Sequence, residues 1–500
     1  MMNKSVVEDA NFLIQNISGL GEEIYGNKPM IDMGVKIAED YFENAKNKKL
    51  KEGRLNARII QDQTDMGLAI MESIRRLLMS DSVSPATFQA LTSVLGRDLL
   101  VEKDLREKKV DYFEEHYGAS QPSFLLISPT KACNLHCTGC YADSDENVRK
   151  LDYDIFSRLV NDAREEWGAQ FMVISGGEPM VYKSQGKTIL DMAAENPKSY
   201  FIFFTNGTLI TPEAAHRMAE LGNIAPMFSL EGWKQTTDKR RGTGVFDKVM
   251  QSMDLLRKEG VIFGTSLTAT KDNYKELLSD EFMDFLVLEK GVSLAWVFHY
   301  MPIGRSYTLE LMPSPEARLW MWRKSWEMIR EKRYFIADFW NGGSVVDGCL
   351  SAGGHDNGGY MYIDWDGHIS PCVFVPYSPV NINDIYAKGG SLDDIWNAPF
   401  FKGLREFQSR NKDEHKGSHV INPCPIRDHN SKFRQIFAQY EPDPIDKNAE
   451  EAMSDPDYAK GLDKYGDQYQ KIVDKLWKKV YEDNQEPTEA LIDTISAQSK

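Results

Sequence analysis

The sequence predicts an α/β fold built around a parallel β-sheet. From residue 123 to residue 298, short apolar runs of strand length alternate with longer segments whose apolar residues recur at helical spacing. Strands that alternate with helices in this way form parallel sheets. The chemically distinctive residues follow directly after these apolar runs. They are therefore expected at the carboxyl ends of the strands, where α/β barrels carry their functional sites.

Residues 1–118 precede this alternation and are predicted to be a helical region without a chemical motif. Apolar residues recur there at three- and four-residue steps. The stripe comprises Ile59, Ile60, Met66, Ile70, Ile74, Leu77 and Leu78. Ser84 and Pro85 suit the start of a further helix, and Gly96 suits its end. We interpret the region as a packing domain over the α/β part, with a docking module for a substrate or partner as the alternative.

Six strands, with helices between them, are predicted in the next segment. The strands are Ser123–Ser128, Phe171–Ser175, Tyr200–Phe204, Pro226–Leu230, Val261–Leu267 and Leu294–Phe298. The clearest helical patterns are Tyr153–Trp167, Pro212–Leu221 and Phe246–Glu259. Each strand is long enough to cross a sheet, and each helix is long enough to return the chain to the opposite edge.

The last third of the chain is predicted to be mixed. Residues 311–345 are expected to be helical, with a break at Pro313-Ser314-Pro315. A Gly-rich stretch leads to a strand at Tyr360–Asp364. Residues 436–500 form a charged tail in which 464–482 have a weakly amphipathic helical pattern. We interpret this tail as a surface helix with a loose end.

The composition limits the classes of function. The chain has 500 residues, of which 42% are apolar, and a net charge of −16. This length suits roughly two to four structural units. No Lys/Arg-rich run stands out, which argues against nucleic-acid binding. The apolar runs are far shorter than the roughly 18 residues of a spanning helix, and the N-terminus lacks the apolar segment of a signal peptide. We expect a cytoplasmic protein, for which peripheral membrane contact stays open.

Three of the six cysteines form the most informative pattern. Cys133, Cys137 and Cys140 are separated by three and then two residues, and no fourth cysteine lies nearby. Structural zinc sites usually have four closed ligands. An iron–sulfur cubane held by three thiolates keeps one iron open, which can bind and activate a small molecule. Buried thiols, or half of a metal knuckle, are the alternatives at this point.

This spacing, together with Gly176-Gly177-Glu178-Pro179 after the second predicted strand, resembles the signature of the radical S-adenosylmethionine (SAM) enzymes. The resemblance covers roughly residues 120–435. It implies a partial (βα)6 TIM-like barrel in which the three cysteines ligate a [4Fe–4S] cluster and SAM chelates the fourth iron. Reductive cleavage of SAM would give a 5′-deoxyadenosyl radical, which abstracts hydrogen from an unactivated C–H bond.

The same resemblance implies a set of SAM contacts at three strand ends and at one arginine beyond the third of them. They comprise Ser175, Gly176, Gly177 and Glu178 near the methionine amino group, then Thr205, Asn206, Ser229, Glu231 and Arg240. Family members usually carry an aromatic residue before the third cysteine, against the adenine. Here that residue is Gly139, so Tyr141 is predicted to substitute for it.

The other three cysteines follow a second pattern. Cys349 and then Gly367 and Cys372, with the Gly-x4-Cys spacing, resemble the start of a SPASM or twitch domain. Adding Cys424, the resemblance implies one auxiliary [4Fe–4S] cluster with three thiolate ligands. Its fourth iron is open to substrate or is held by one of Asp347, Asp428 and His429. Buried thiols that bind no metal are the alternative, because cysteine is commonly buried.

These inferences predict four regions. They are a helical region at 1–118, a radical SAM barrel at 119–310, a small α+β auxiliary-cluster domain at 311–435 and a helical tail at 436–500. The predicted reaction is hydrogen abstraction from a peptide, a protein or a lipid or isoprenoid chain, with C–C bond formation possible and with flavodoxin or ferredoxin as the reductant. An exposed apolar channel between the barrel and the helical region would favour a lipid, and a long polar groove would favour a peptide. The alternative is a non-catalytic iron–sulfur electron-transfer or interaction protein.

Overall fold

A parallel sheet organises the molecule in this computed structural model, which describes residues 25–80, 82–100, 103–118, 121–146, 148–350, 359–415 and 417–499. The strands are β1 Phe124–Ile127, β2 Phe171–Ile174, β3 Tyr200–Thr205, β4 Ile224–Leu230, β5 Gly264–Ala269, β6 Ala295–His299, β7 Ile336–Asp338, β8 Tyr360–Ile363, β9 His368–Ser370, β10 Tyr377–Ser378, β11 Val380–Asn381 and β12 Asp443–Pro444. Within the described residues, the main sheet has the order β11-β9-β8-β1-β2-β3-β4-β5-β6-β7, and β10 pairs with β12.

Helices cover both the outside of this sheet and its two ends. They are α1 Lys28–Glu52, α2 Ala57–Met79, α3 Pro85–Leu100, α4 Lys103–Tyr117, α5 Tyr153–Trp167, α6 Ile189–Glu195, α7 Pro212–Leu221, α8 Lys234–Arg241, α9 Val245–Glu259, α10 Tyr274–Leu277, α11 Asp280–Asp284, α12 Pro315–Glu331, α13 Gly343–Val346, α14 Ile382–Ala387, α15 Asp393–Trp396, α16 Pro399–His415, α17 Pro425–Asp428, α18 Asn430–Tyr440, α19 Lys447–Ser454, α20 Pro456–Leu476 and α21 Glu489–Ser499. In the described part of the chain, every helix is too short or too polar to cross a lipid bilayer.

The six predicted strands form the centre of the sheet as β1 to β6, all parallel. The α/β prediction is therefore confirmed. The helix α5 shows why the local pattern was readable. It follows Asp152, ends at Gly168 with φ of 72°, and turns Phe156, Leu159 and Val160 into the core. That four-residue spacing places these side chains on one face of a helix.

One strand stands where a helix is predicted. The expected helical run through residue 345 ends at Glu331, and Ile336–Asp338 forms β7 beside β6, with Ile336 opposite Ala295. A three-residue strand is too short to show alternation in the sequence, and its partner lies about forty residues away along the chain. A second difference concerns Gly96, which was predicted to end a helix. Instead α3 continues through it to Leu100, because one glycine costs a helix only about 1 kcal/mol.

The N-terminal helices pack against the sheet's covering layer rather than standing apart. In α2, Ile60 and Ala69 are fully buried, and Asp62 and Asp65 form ion pairs with Arg330 of α12. These contacts support the interpretation of the N-terminal helices as a packing region over the α/β part. Residues 1–24 lie outside the described residues.

The C-terminal tail is far less exposed than the sequence suggests. Along α20, Leu462, Ile472, Val473 and Leu476 are buried, and the guanidinium carbon of Arg318 lies 3.8 Å from the centroid of the Tyr469 ring. The prediction of a surface helix is wrong for this segment. Its apolar stripe was visible in the sequence, but the buried partner on α12 was not.

Candidate active site

The first cysteine group lies on the loop between β1 and α5, and backbone contacts fix this loop. Cys133 N–H donates to Asp145 O at 2.7 Å. Arg305, which follows β6, donates from its backbone to Cys140 O at 2.9 Å and from its guanidinium to Cys137 O at 2.8 Å. Gly304 permits this approach, since a Cβ there would lie 2.2 Å from Tyr141 O. Arg305 is thus a site residue to which the sequence reasoning assigned no role.

All three cysteines of this loop line one cavity of about 160 Å³ at the carboxyl ends of the strands. Eight of the predicted SAM contacts line the same cavity. They are Tyr141, Ser175, Gly176, Gly177, Thr205, Asn206, Ser229 and Arg240. Residues from five separate segments of sequence therefore meet around the cysteine sulfurs. This convergence is what a site for a cluster and a small charged ligand requires.

Gly176 and Gly177 bring the end of β2 against the cysteine loop. A Cβ on Gly177 would lie 2.0 Å from Ala132 O, and Gly176 has φ of 112°, where side chains are strained. The backbone then pairs across the gap, with Gly177 N–H donating to Thr130 O at 2.8 Å. Only glycine allows so close an approach. The two glycines therefore place the cavity wall beside the sulfurs.

Glu178 is 1% exposed and, unlike Gly176 and Gly177, does not line the cavity. Its carboxylate accepts hydrogen bonds from Asn206 N–H at 2.7 Å, the Thr205 hydroxyl at 2.8 Å and Met180 N–H at 3.0 Å. Burial raises the pKa of Glu178, and these three hydrogen bonds oppose the shift. Its observed contacts hold the ends of β2 and β3 together. A direct contact with the SAM amino group stays a prediction.

Glu231 and two arginines form a second buried group at the end of β4. The Oε1 atom of Glu231 accepts from Arg240 and Arg241, at 2.6 Å each, and Glu231 is 1% exposed. Arg240 also donates to Thr138 O at 3.1 Å, on the cysteine loop. Two arginines against one carboxylate leave a net positive charge beside the sulfurs. That charge suits the SAM carboxylate and the anionic cluster, while a ribose contact by Glu231 stays a prediction.

The structure gives a physical reason for Gly139. A Cβ at this position would lie 2.7 Å from Cε2 of Tyr300, so the Tyr300 ring occupies the space that an aromatic residue at 139 would need. Tyr300 lines the cavity, and its buried hydroxyl has no hydrogen-bond partner within the described residues. Tyr141 instead hydrogen-bonds Ser175 and receives Gly176 N–H at 3.3 Å. Its contact with the adenine stays a prediction.

Beyond the cysteines the cavity wall is mostly apolar and aromatic, with Ser266, Thr268 and His299 as polar members. It is formed by the inner faces of β1, β2, β3 and β6, with Phe124, Leu126, Val173, Phe204, Trp296 and Phe298. Phe298 packs against Phe339 and Phe374, with ring centroids 5.4 and 6.0 Å away. The polar, positively charged end at the sulfurs therefore continues into an apolar chamber.

Cys349, Cys372 and Cys424 converge on a second, smaller cavity of about 20 Å³. The other lining residues are Phe339, Trp340, Leu350, Phe374, Val375, Pro423, Pro425 and Ile426. Three sulfurs in an otherwise apolar pocket fit an iron–sulfur cluster, since thiolates are its ligands. Phe339 and Phe374 line both cavities. These two rings thus separate the first cysteine group from the second.

None of the three predicted candidates for a fourth auxiliary ligand lines this pocket. Asp347 pairs with Lys412 at 2.7 Å, and His429 Nε2 contacts Asn422 O at 2.9 Å. Asp428 pairs with Arg318 and Arg427 at 2.6 and 3.0 Å. These arginines hold the pKa of the Asp428 carboxyl well below its usual range, against the effect of burial. Among the described lining residues, only the three cysteines offer cluster ligands. Residues 351–358 lie outside the description.

Comparisons with known proteins agree with this arrangement. Residues 127–280 match the model of the radical SAM superfamily, and residues 356–425 match an iron–sulfur cluster-binding domain, SPASM. The chain is similar to mycofactocin maturase MftC of Mycolicibacterium smegmatis, 28% identical over 310 residues that cover 60% of this chain and 76% of the relative. Fe-coproporphyrin III synthase of Methanosarcina barkeri is 28% identical over 201 residues, 40% of this chain and about half (49%) of that relative.

The fold also resembles a solved structure, Streptococcus suis SuiB bound to the precursor peptide SuiA. The TM-score is 0.51 at 17% identity, covering 64% of this chain and 74% of SuiB. The radical SAM match contains Cys133, Cys137 and Cys140, and the SPASM match contains Cys372 and Cys424, whereas Cys349 lies just before its start. The similar relatives are enzymes by name. Residues 127–280 are therefore a radical SAM domain, and residues 356–425 are an iron–sulfur cluster-binding SPASM domain.

Proposed function

We propose that Cys133, Cys137 and Cys140 hold the [4Fe–4S] cluster at which SAM is reductively cleaved, and that the enzyme abstracts hydrogen from an unactivated C–H bond of its substrate. One observation carries the assignment. The three cysteines open into the same cavity as the glycine backbone after β2 and the polar ends of β3 and β4. The bound cluster and SAM supply the difficult chemistry, and the protein supplies position and exclusion of side reactions.

The chain's own residues have separable parts in this proposal. Gly176 and Gly177 bring backbone close to the ligand, and Arg305 fixes the cysteine loop. Arg240 and Arg241 place positive charge where a carboxylate would bind. The aromatic wall excludes water from the chamber, which protects a reactive species from side reactions.

We assign Cys349, Cys372 and Cys424 to one auxiliary cluster. The pocket that they share supports this, because its other described lining residues are apolar and cannot compete as ligands. Residues 119–310 are the proposed barrel and 311–435 the proposed auxiliary domain, between the helical segments 1–118 and 436–500. Two rings, Phe339 and Phe374, lie between the cavities, so a substrate in the chamber would lie beside both clusters.

For the substrate, we propose an apolar side chain of a peptide. The chamber is built mainly from phenylalanine, tryptophan and aliphatic side chains, which suits an apolar reacting group. This apolar chamber lies inside the barrel, whereas an exposed apolar channel between the barrel and the N-terminal helices would favour a lipid. The names of two similar proteins, a maturase and a SuiB structure bound to a precursor peptide, favour the peptide over a free alkyl chain.

The test uses anaerobically reconstituted full-length protein. We expect about eight iron atoms per chain and about four in the Cys349/Cys372/Cys424 triple alanine variant.

Cys140→Ala should abolish formation of 5′-deoxyadenosine from SAM, measured by liquid chromatography and mass spectrometry, whereas Cys372→Ala should retain uncoupled cleavage. The exposed loop residue His136 provides the control, and His136→Ala should cleave SAM at the wild-type rate. Undiminished cleavage by Cys140→Ala would show that the site assignment is wrong.

A further inference from the structure

Tyr360 links the two cysteine groups through a single side chain. It stands at the start of β8, its ring lines the larger cavity, and its hydroxyl oxygen lies 3.0 Å from Cys372 Sγ. The side chain is fully buried. Its ring stacks on Phe124 of β1, with centroids 4.9 Å apart and planes inclined by 10°. The sheet pairing of β8 with β1 thus holds the hydroxyl at the sulfur.

The direction of this hydrogen bond follows from its neighbours. Val373 N–H donates to the Tyr360 hydroxyl oxygen at 3.3 Å, so that oxygen already acts as an acceptor. A cysteine that ligates iron is a thiolate and has no proton to donate. A phenol is protonated at neutral pH. The tyrosine proton therefore points at the sulfur.

The Cys372 sulfur has a closer donor than the Cys133 sulfur of the first group. Besides the Tyr360 hydroxyl, it receives Phe374 N–H at 3.4 Å. In the first group, Cys133 receives Leu135 N–H at 3.4 Å and a long contact of 3.9 Å from Asn206. The Tyr360 hydroxyl is the closest of these donors, at 3.0 Å, and hydrogen bonds to an ionised acceptor are the strong ones.

We propose that Tyr360 is a positioning residue that raises the reduction potential of the auxiliary cluster through its O–H bond to Cys372. Reduction adds negative charge to the cluster, and a donor at a ligating sulfur stabilises that charge. The inference rests on the proposed ligand set of Cys349, Cys372 and Cys424. It gives the auxiliary cluster a property that the SAM-cleaving cluster does not share, because the described contacts of Cys133 come from amides.

The experiment is an EPR-monitored redox titration of reconstituted full-length Tyr360→Phe beside wild type. The signal of the auxiliary cluster is assigned as the one retained in the Cys133/Cys137/Cys140 triple alanine variant. At a fixed solution potential, we expect the ratio of oxidised to reduced auxiliary cluster to rise about tenfold in Tyr360→Phe, which is a midpoint about 59 mV lower for a one-electron couple. The signal of the first cluster should not move.

Tyr377→Phe is the matched control. Tyr377 belongs to the same buried cluster of side chains, and its hydroxyl donates to Ala449 O at 3.0 Å rather than to a sulfur. An unshifted auxiliary midpoint in Tyr360→Phe, with iron content still near eight, overturns the inference while leaving the proposed function intact. A wild-type iron content near four refutes the auxiliary ligand set and the inference with it.

If Tyr360→Phe loses the auxiliary cluster, site-specific replacement of Tyr360 by monofluorinated tyrosine tests whether the O–H donor sets the reduction potential of the auxiliary cluster. This residue keeps the shape of tyrosine and is a stronger proton donor, so the auxiliary midpoint should lie above that of wild type. A midpoint equal to that of wild type contradicts the inference.

Discussion

At the scale of single residues, the site depends on positions where a β-carbon has no room. Gly177 is the sharpest of these, because the obstructing atom is the backbone oxygen of Ala132 on the cysteine loop. We expect Gly177→Ala to displace that loop and to lower the iron content after reconstitution from about eight to about four. The control is Gly34→Ala in α1, where a Cβ meets nothing within 4 Å and which should keep all its iron. Full iron content in Gly177→Ala would contradict this account.

The six cysteines, Gly176 and Gly177 could be predicted as site residues from the sequence, because residue type and spacing indicate their chemistry. The sequence assigned no role to Tyr300, Arg305 or Tyr360, since each acts through one contact with a residue far away along the chain. Glu178 shows the opposite case. Its position at a strand end was predicted, but the structure shows that its carboxylate accepts hydrogen bonds from the backbone amides of Asn206 and Met180.

At the scale of elements, the segment after β6 clamps the loop after β1. Arg305 contacts the carbonyl of Cys137 at 2.8 Å, pairs with Asp143 at 3.1 Å and also donates to Ser144 O. A planar guanidinium can make these contacts together and an ammonium cannot. We therefore expect both Arg305→Ala and Arg305→Lys to lose iron from the first cluster to a chelator at least several-fold faster than wild type, measured by visible absorbance.

Arg217→Ala provides the comparison for this clamp. Arg217 forms an ion pair with Glu220 on the surface of α7, and exposed pairs contribute little. Its rate of iron loss should equal that of wild type. A wild-type rate in Arg305→Lys would mean that charge, and not the fork of donors, holds the loop.

Element bounds were predictable where caps and periodicity agree. The helix Tyr153–Trp167 was predicted with its observed limits. Its apolar spacing, its first residues and the following Gly168 all indicate the same start and end. The strand β7 was missed, since three residues carry no periodicity and the preceding helical pattern runs into them. Strand β5 begins at Gly264 rather than Val261. The apolar residues before Gly264 belong to the preceding loop, and apolar character alone does not distinguish them from strand residues.

At the scale of the whole molecule, a buried ion pair joins α12 to α17, and the same arginine also contacts α20 of the tail. Arg318 is fully buried, pairs with Asp428 of α17 and lies over the ring of Tyr469 on α20. Removing one partner of a buried pair costs about 3–5 kcal/mol when the other charge is left unpaired. Asp428 keeps its contact with Arg427 at 3.0 Å, so the cost here is smaller. We expect Arg318→Met to lower the thermal unfolding midpoint of reconstituted protein by several degrees.

Lys447→Met serves as the control for Arg318→Met. Lys447 pairs with Glu451 at 3.0 Å, but its side chain is 85% exposed, so its loss should leave the midpoint within experimental error. An unchanged midpoint in Arg318→Met would show that the pair is neutral to stability. These contacts also explain why the tail was misjudged. The pattern of α20 showed an apolar face, and only the fold shows what covers it.

The pairing of β8 with β1 has a consequence for how the chain is made. The two strands join residues 124–127 to residues 360–363, so β1 emerges from the ribosome more than two hundred residues before one of its two sheet neighbours. Until then it presents an open edge of unpaired backbone groups, a template for mispairing with other chains. Slower translation of the intervening segment would prolong that exposure. Aggregation during overproduction should therefore depend on chaperones that shield β-edges more than on the stability of the finished enzyme.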